Sequence, residues 1–119
     1  MMLSIIVPVY NEEKTIKKVL KTILKTNLGI KKQIVVVNDG SSDKTGVVID
    51  LLSQKYNEVR ALHNRKNKGL ALAWRTGVDA AKKEIILYIE GDGQKPFDDQ
   101  LDLLKMIDPI NQLCAFLIR

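Results

Sequence analysis

Short, unbroken apolar runs punctuate the chain at regular intervals. Residues 3–9 (LSIIVPV), 33–37 (QIVVV), 59–62 and 84–89 (EIILYI) are such runs, and residues 113–118 form a fifth. Several are rich in β-branched residues and lack polar alternation, which is typical of strands buried on both faces. The pattern therefore predicts up to five strands.

Four segments between these runs space their apolar residues as amphipathic helices do. Asn11 is predicted to cap the first helix and Gly29 to end it, the next two cover residues 43–56 and 68–81, and Pro96 and Pro109 bound the fourth. The residues expected to face the core are Ile16, Val19, Leu20, Ile23 and Leu24, then Val47, Val48, Leu51 and Leu52, then Leu70, Ala73, Trp74 and Val78. This alternation predicts an α/β fold, a mostly parallel sheet flanked by helices, in a single domain over residues 1–119.

Composition agrees with one ordinary globular domain, since 45% of the 119 residues are hydrophobic and 28% are charged. Cys114 is the single cysteine, which excludes an intrachain disulfide and a cysteine-based metal cluster. The N-terminal apolar run has no basic segment before it, so it is interpreted as a strand and not as a signal peptide. We therefore expect a cytoplasmic location, with the cytoplasmic face of a membrane as the alternative.

The formal charge of +5 includes seven lysines between Lys14 and Lys32. A basic surface favours anionic partners in general, among them nucleotide diphosphates, lipid phosphates and nucleic acid. A solvated lysine-rich helix face is the other interpretation, and the sequence leaves both open.

Polar, acid-bearing loops follow three of the predicted strands. They are residues 10–13 (YNEE), 38–43 (NDGSSD) and 90–94 (EGDGQ). Parallel strands end at one edge of the sheet, where ligands of α/β proteins bind. In the third loop, two carboxylates one residue apart and a nearby amide oxygen are donors that suit a hard divalent cation.

These loops carry a family resemblance. Residues 8–12 (PVYNE), 38–43 (NDGSSD) and 91–94 (GDGQ) resemble, in order and spacing, motifs of the family-2 glycosyltransferases with the GT-A fold, and residues 67–77 resemble the family's helix start. The acidic-Gly-Asp-Gly-Gln form is most similar to the polyprenyl-phosphate sugar transferases of the dolichol-phosphate-mannose synthase type. The resemblance covers residues 3–96.

The resemblance implies roles for individual residues. Pro8, Tyr10 and Glu12 would line the nucleoside pocket, and Asp39 would accept hydrogen bonds from the base. Gly69, at a helix start with free N–H groups, and Gly91 would approach the diphosphate closely. Glu90, Asp92 and Gln94 would hold Mg²⁺ or Mn²⁺, with Asp92 catalytic. Arg119 would pair with a phosphate as a second catalytic residue.

The resemblance further implies a reaction. A hexose would pass from a nucleoside-diphosphate sugar (GDP-mannose or UDP-glucose type) to an acceptor, polyprenyl phosphate at the membrane surface, with inversion; nucleic acid is not an expected partner. Glu90 stands where the family usually has Asp, which puts metal preference in question, and Asn38 stands where many members carry a second Asp.

The chain is expected to be the N-terminal portion of a catalytic domain. Two alternatives stay open: a truncated, non-catalytic nucleotide-sugar-binding module, or one partner of a split transferase with a complementing C-terminal chain. A homo-oligomer is equally compatible with the sequence. A receiver domain is disfavoured because His63-Asn64-Arg65 follows the third strand where an aspartate is required. A dinucleotide-dependent oxidoreductase would need a Gly-x-Gly-x-x-Gly after the first strand. His63 and Trp74 are interpreted as structural.

Overall fold

The computed structural model describes residues 2–26, 31–81, 85–88 and 114–115. The strands are β1 (Met2–Val9), β2 (Lys31–Asp39), β3 (Val59–Asn64), β4 (Ile85–Tyr88) and β5 (Cys114–Ala115), and the helices are α1 (Ile16–Lys25), α2 (Thr45–Lys55) and α3 (Leu70–Ala80). The strands form one sheet in the order β3-β2-β1-β4-β5. All four strand pairs between described residues are parallel, which confirms the predicted α/β architecture.

The centre of the sheet is built from the two most apolar runs. β1 pairs with β2 over eight positions, from Met2 opposite Lys31 to Val9 opposite Asn38. Leu3 through Val9 are buried, as are Ile34 through Asp39. A strand covered on both faces needs apolar side chains in both alternating sets, which is why neither run shows polar alternation.

Alternation of side chains divides the core into two layers. Leu3, Ile5 and Val7 of β1 belong to the layer that packs against α1 and α2. Ile6, with Val35 and Val37 of β2, packs against α3 on the opposite face, where Trp74 and Val78 also lie. The predicted core positions of α1 and the described ones of α3 are confirmed.

The beginning of α1 differs from the prediction. Asn11 is not the N-cap, because α1 begins at Ile16 and the N–H of Ile16 donates to the carbonyl of Glu12 at 2.9 Å. No acidic residue lies in the first helical turn, so Glu12 and Glu13 do not stabilise that end as expected. The Asn11 side chain instead accepts a hydrogen bond from the N–H of Ser42 at 2.8 Å.

The face that α2 turns to the core also differs from the prediction. Val47 and Leu51 are 59% and 62% exposed, so their assignment to the core is wrong. Thr45, Ile49 and Leu52 are the buried residues, with Val48 partly buried beside them. The buried face of α2 includes Thr45, whose hydroxyl accepts a hydrogen bond from the loop after β1. A prediction from apolar residues alone therefore misplaces part of this face.

The remaining predicted elements lie partly or wholly outside the described residues. The fourth helix, over residues 96–109, is outside them, and β5 covers two of the six residues predicted as the fifth strand. Within the described part of the chain, every helix falls short of the length and apolarity needed to cross a bilayer.

Candidate functional site

The candidate site is the edge of the sheet where the strands end. The chain leaves β1 towards α1 on one face and enters β4, on the other side of β1, from α3 on the opposite face. This reversal between β1 and β4 is the position at which open α/β sheets bind ligands. The segment holding Glu90, Asp92 and Gln94 follows Tyr88, the last residue of β4, in the sequence.

The loops after β1 and β2 are joined by direct hydrogen bonds. The N–H of Asn11 donates to Oγ of Ser41 at 3.0 Å, and the N–H of Ser42 donates back to Oδ1 of Asn11. Asn11 holds a positive φ of 51°, a left-handed conformation that asparagine tolerates better than most residues. The predicted convergence of these two loops is therefore confirmed.

A second set of contacts anchors the loop after β1 to the start of α2. The N–H of Glu12 donates to Oγ1 of Thr45 at 2.9 Å, and the N–H of Glu13 donates to Oδ2 of Asp43 at 3.3 Å. Partial burial alone would raise the pKa of the Asp43 carboxyl, but hydrogen bonds from Thr45 and from the backbone of Glu13 and Asp43 hold the pKa below its usual value. Asp43 is therefore an ionised anchor for both loops near neutral pH.

Asp39, at the end of β2, binds the segment that follows β3. Its side chain is 1% exposed. Oδ1 accepts from Nδ2 of Asn64 at 3.0 Å and from the N–H of Lys68 at 2.9 Å, and Oδ2 accepts from the N–H of Gly69 at 2.8 Å. A buried carboxylate is tolerated only where such donors compensate the lost water. Asp39 thus fixes the start of α3.

These bonds correct one expectation. The N–H groups of Lys68 and Gly69 are not free for an anion, because the Asp39 carboxylate occupies them. The sequence gives no sign of this pairing, since the partners are 29 and 30 residues apart. Gly69 itself lies at the N-cap of α3 with a positive φ of 95°.

The turn after Asp39 requires glycine for two reasons. Gly40 has a φ of 72°, which L-residues rarely adopt. A Cβ at this position would also lie 2.5 Å from the backbone N of Asn67 and the backbone carbon of Lys66. The loops after β2 and β3 are therefore in backbone contact.

The other predicted nucleoside residues of the described chain occupy different positions along the same edge. Pro8 is buried in β1 beside Val37 of β2. Tyr10 follows the strand and is 41% exposed, which leaves part of its ring accessible. Oε2 of Glu12 accepts from the hydroxyl of Thr15 at 2.8 Å.

The structure does not test the predicted metal ligands and catalytic residues. Glu90, Gly91, Asp92, Gln94 and Arg119 lie outside the described residues. Within the part of the chain that the structure does describe, no group of three or more His, Cys, Asp or Glu side chains is placed to hold a metal ion.

The lysines of α1, together with Lys14 just before the helix, form a surface. Lys14, Lys17, Lys18, Lys21 and Lys25 line a shallow groove together with Thr22. Four of these lysines are exposed and Lys21 is partly buried. The groove lies along the outer side of α1, away from Ile16, Leu20 and Ile23. Its composition fits either a solvated helix face or an anion-binding surface.

Asn38 and Asp50 both contact His63, although the sequence assigned a role to neither of them. Asn38 is 7% exposed, and its Nδ2 lies 3.1 Å from Nδ1 of His63. Nε2 of His63 lies 2.7 Å from Oδ1 of Asp50 on α2. The sequence signal for Asn38 was its departure from the family pattern; Asp50 carried none.

Comparisons with known proteins identify relatives of this chain. An uncharacterized protein of Methanocaldococcus jannaschii is 38% identical over 96% of this chain and 50% of its own length. The human dolichyl-phosphate beta-glucosyltransferase is 33% identical over 91% of this chain and 36% of its own length. The chain thus spans half or less of these two relatives.

Two solved structures share the fold. The mannosyltransferase PcManGT of Pyrobaculum calidifontis, in complex with GDP-Man and Mn²⁺, matches with a TM-score of 0.67 and 26% identity over 76% of this chain and 27% of that one. S. aureus TarS 1-349, in complex with UDP-GlcNAc, matches with a TM-score of 0.70 and 25% identity over 89% of this chain and 32% of that one. The model of the family "Glycosyl transferase family 2" matches residues 4–117. The chain therefore belongs to glycosyl transferase family 2.

Proposed function

We propose that this chain supplies the donor site of a transferase that moves a hexose from a nucleoside-diphosphate sugar to a polyprenyl phosphate, with inversion. The observation that carries the proposal is the edge of the sheet at the β1/β4 reversal. There, hydrogen bonds of Asn11, Ser41 and Asp39 join the segments that follow β1, β2 and β3. Nucleotides bind at such edges in open α/β sheets. Membership of glycosyl transferase family 2 supports glycosyl transfer as the general chemistry.

The donor is proposed from the chemistry of the edge and from the relatives. Tyr10 offers a partly exposed ring on which a base can stack. Asp39 has three internal donors, and a carboxylate has about four acceptor positions, so a base N–H would take the remaining one. The solved relatives hold GDP-Man and UDP-GlcNAc, which supports a nucleoside-diphosphate sugar and leaves the base open.

Glu90, Asp92 and Gln94 are proposed as the residues that hold Mg²⁺ or Mn²⁺. Two carboxylates and an amide oxygen are the donor set that such hard cations prefer. The bound cation would supply Lewis-acid stabilisation of the leaving diphosphate. The extra methylene of Glu90, relative to the aspartate usual in the family, is expected to alter preference between the two metals.

A polyprenyl phosphate is proposed as the acceptor because it needs no general base. A phosphate monoester is already anionic near neutral pH, so its oxygen can attack the anomeric carbon directly in one inverting step. Arg119 is proposed to pair with a phosphate group in this step. The human relative named above is a dolichyl-phosphate beta-glucosyltransferase, which supports this acceptor class. Because a polyprenyl phosphate is a lipid, we propose that the reaction takes place at a membrane face.

The test measures donor binding and turnover separately. Calorimetric titrations with GDP-mannose and UDP-glucose, each with Mn²⁺ and with EDTA, are expected to show metal-dependent binding of one donor. Release of the nucleoside diphosphate is then followed with and without a short-chain polyprenyl phosphate. Release that depends on the acceptor supports the full proposal; metal-dependent binding of neither donor contradicts it.

A non-catalytic binding module, or one half of a split transferase, is the second candidate. The chain spans 50% of the Methanocaldococcus relative and 36% of the human one, so donor binding and turnover are tested separately. Donor binding without acceptor-dependent release identifies the module. Release restored by adding a separately produced C-terminal chain identifies the split enzyme.

A further inference from the structure

A continuous line of polar contacts runs from the outer face of α2 to the loop after β2. Oδ1 of Asp50 lies 2.7 Å from Nε2 of His63, and Nδ1 of His63 lies 3.1 Å from Nδ2 of Asn38. Oδ1 of Asn38 accepts from the N–H of Ser41 at 3.0 Å. These three side chains come from α2, β3 and β2.

The contacts determine where the protons are. A backbone N–H can only donate, so Asn38 must present its oxygen to Ser41 and its amide nitrogen to His63. Nδ1 of His63 therefore accepts from Asn38, which places the imidazole hydrogen on Nε2, where it is donated to Asp50. The network is satisfied by the neutral Nε2–H tautomer.

Ser41 is the point at which this line reaches the candidate site. Its hydroxyl oxygen accepts from the N–H of Asn11, which brings the loop after β1 into the same network. Asp39 and Gly40, next to it, contact the segment after β3. The orientation of the Asn38 side chain therefore affects the segments that follow β1, β2 and β3.

We propose that Asn38, His63 and Asp50 are positioning residues that hold the loop of residues 39–42 ready for the nucleotide, and that they do so only while His63 is neutral. The proposal rests on the proposed function, because it assigns these residues to the donor site. They act through Ser41 and Asp39.

Protonation of His63 breaks the network at a defined bond. An imidazolium has hydrogens on both nitrogens, so its Nδ1–H would point at the Asn38 amide hydrogens. Asn38 would have to rotate, which turns its NH₂ group towards the N–H of Ser41 and removes that acceptor. Among the described residues, Asp50 is the charged side chain in contact with the ring, and it accepts from Nε2–H in either state.

One neighbour of the pair is a glycine. Gly46 of α2 faces it, and a Cβ there would lie 3.0 Å from Nδ2 of Asn38 and 3.6 Å from Nδ1 of His63. A side chain at this position would crowd the Asn38 amide and make an ordinary van der Waals contact with the ring. The glycine at position 46 therefore leaves room for the contact between Asn38 and His63.

The test compares two substitutions of His63 by donor titration with Mn²⁺. His63→Phe keeps a ring but removes both nitrogens, so it is expected to weaken nucleotide-sugar binding about tenfold, as one unsatisfied buried amide would. His63→Asn places an oxygen near the position of Nδ1 and cannot be protonated, so it is expected to restore most of that loss. Gln54→Ala, an exposed neighbour on α2, is the matched control.

The pH profile separates positioning from mere packing. Histidine ordinarily changes charge between about pH 5 and pH 8. Wild-type affinity is expected to fall on acidification if the network needs the neutral ring, and His63→Asn to lack this component. Parallel profiles of the two proteins, or unchanged affinity in His63→Phe, overturn the proposal.

A measurement without ligand keeps this proposal distinct from the proposed function. The ¹⁵N chemical shifts of the His63 ring report its tautomer, and hydrogen exchange of the Ser41 amide reports the loop. We expect an Nε2–H tautomer and a Ser41 amide that loses protection as His63 protonates. The other tautomer, or unchanged Ser41 protection, refutes the network even if the donor binds, whereas absent donor binding with these signatures refutes only the donor site.

Discussion

Asp39 has the most constrained side chain of the candidate site. It is 1% exposed, and its two oxygens accept three hydrogen bonds from residues 25 to 30 positions away. A single carboxylate therefore connects the end of β2 to the start of α3. Whether or not a nucleotide is bound, this connection contributes to stability.

Replacing Asp39 by Asn is expected to lower the free energy of unfolding by about 1–3 kcal/mol. The substitution turns one acceptor oxygen into a donor, so the N–H of Gly69 or those bonded to Oδ1 would face an NH₂ group. Urea denaturation measures the change. Asp79→Asn, at an exposed carboxylate of α3, is the control and is expected to change stability by less than about 0.5 kcal/mol. Equal losses in both variants would contradict the role of Asp39.

Asp43 is expected to link stability to acid pH. Its pKa in the folded chain lies below the ordinary value of 3.8, so the unfolded state binds the proton more tightly. The resulting stabilisation is fully present above about pH 3.8 and is lost as the pH falls through the lower folded-state pKa. Urea midpoints of wild type and Asp43→Asn, measured at decreasing pH, should therefore converge below that value. A constant difference between the two proteins would exclude the linkage.

The sequence predicted the hydrogen-bonding chemistry of Asp39 and Asn11 better than it predicted their partners. It predicted that Asp39 accepts hydrogen bonds and that Asn11 caps a helix, and both side chains do accept hydrogen bonds from backbone N–H groups. It did not reveal these donors, because they lie 29 to 32 residues away along the chain. Side-chain chemistry is a local property, whereas pairing depends on how strands align.

At the scale of elements, α2 shows how apolar spacing can mislead. Val47 and Leu51 are one helical turn apart, as are Thr45 and Ile49, so two faces compete for the core. Thr45 is buried because its hydroxyl serves Glu12 and Asp43 at the loop junction. That requirement orients the helix with Ile49 and Leu52 inward.

Two neighbouring leucines of α2 test this orientation. Leu52→Ala is expected to cost about 2–5 kcal/mol of unfolding free energy, because its side chain is 5% exposed in the core. Leu51→Ala is expected to stay within about 0.5 kcal/mol, because that side chain is 62% exposed. Chemical denaturation of both variants is the measurement. A larger loss in Leu51→Ala than in Leu52→Ala would contradict this orientation of α2.

The contact of α3 with the sheet depends on Gly77. A Cβ at this position would lie 2.5 Å from Cγ2 of Ile6 and 3.2 Å from Cγ2 of Val37. Gly77→Ala is therefore expected to destabilise by about 1–3 kcal/mol through overpacking, although alanine favours a helix. Thermal unfolding detects this, with the partly exposed Thr76→Ala as control. A stabilised Gly77→Ala would show that α3 packs further from β1.

The sequence predicts a parallel sheet but not the order of its strands. β1 is apolar in both of its alternating side-chain sets, so it marks a central strand without saying which strands flank it. The order β3-β2-β1-β4-β5 arises because α3 crosses to the face opposite α1 and α2. That crossing creates the reversal at which the site lies. The position of the site is therefore a property of the topology. The sequence alone reveals the loops as motifs but not how they are arranged around the site.

Because ligand binding at this edge would join the loops after several strands, donor and metal should stabilise the fold as a unit. A ligand at about 100 times its Kd adds about 2.7 kcal/mol, a rise in Tm of several degrees for a domain of this size. Calorimetry with the nucleoside diphosphate is expected to show this rise with Mn²⁺ and a smaller one with EDTA. Asp92→Asn should remove the Mn²⁺-dependent part, whereas Asp79→Asn should leave it intact. If Asp92→Asn retains the full Mn²⁺-dependent rise, the metal is held by other residues and Asp92 is not its ligand.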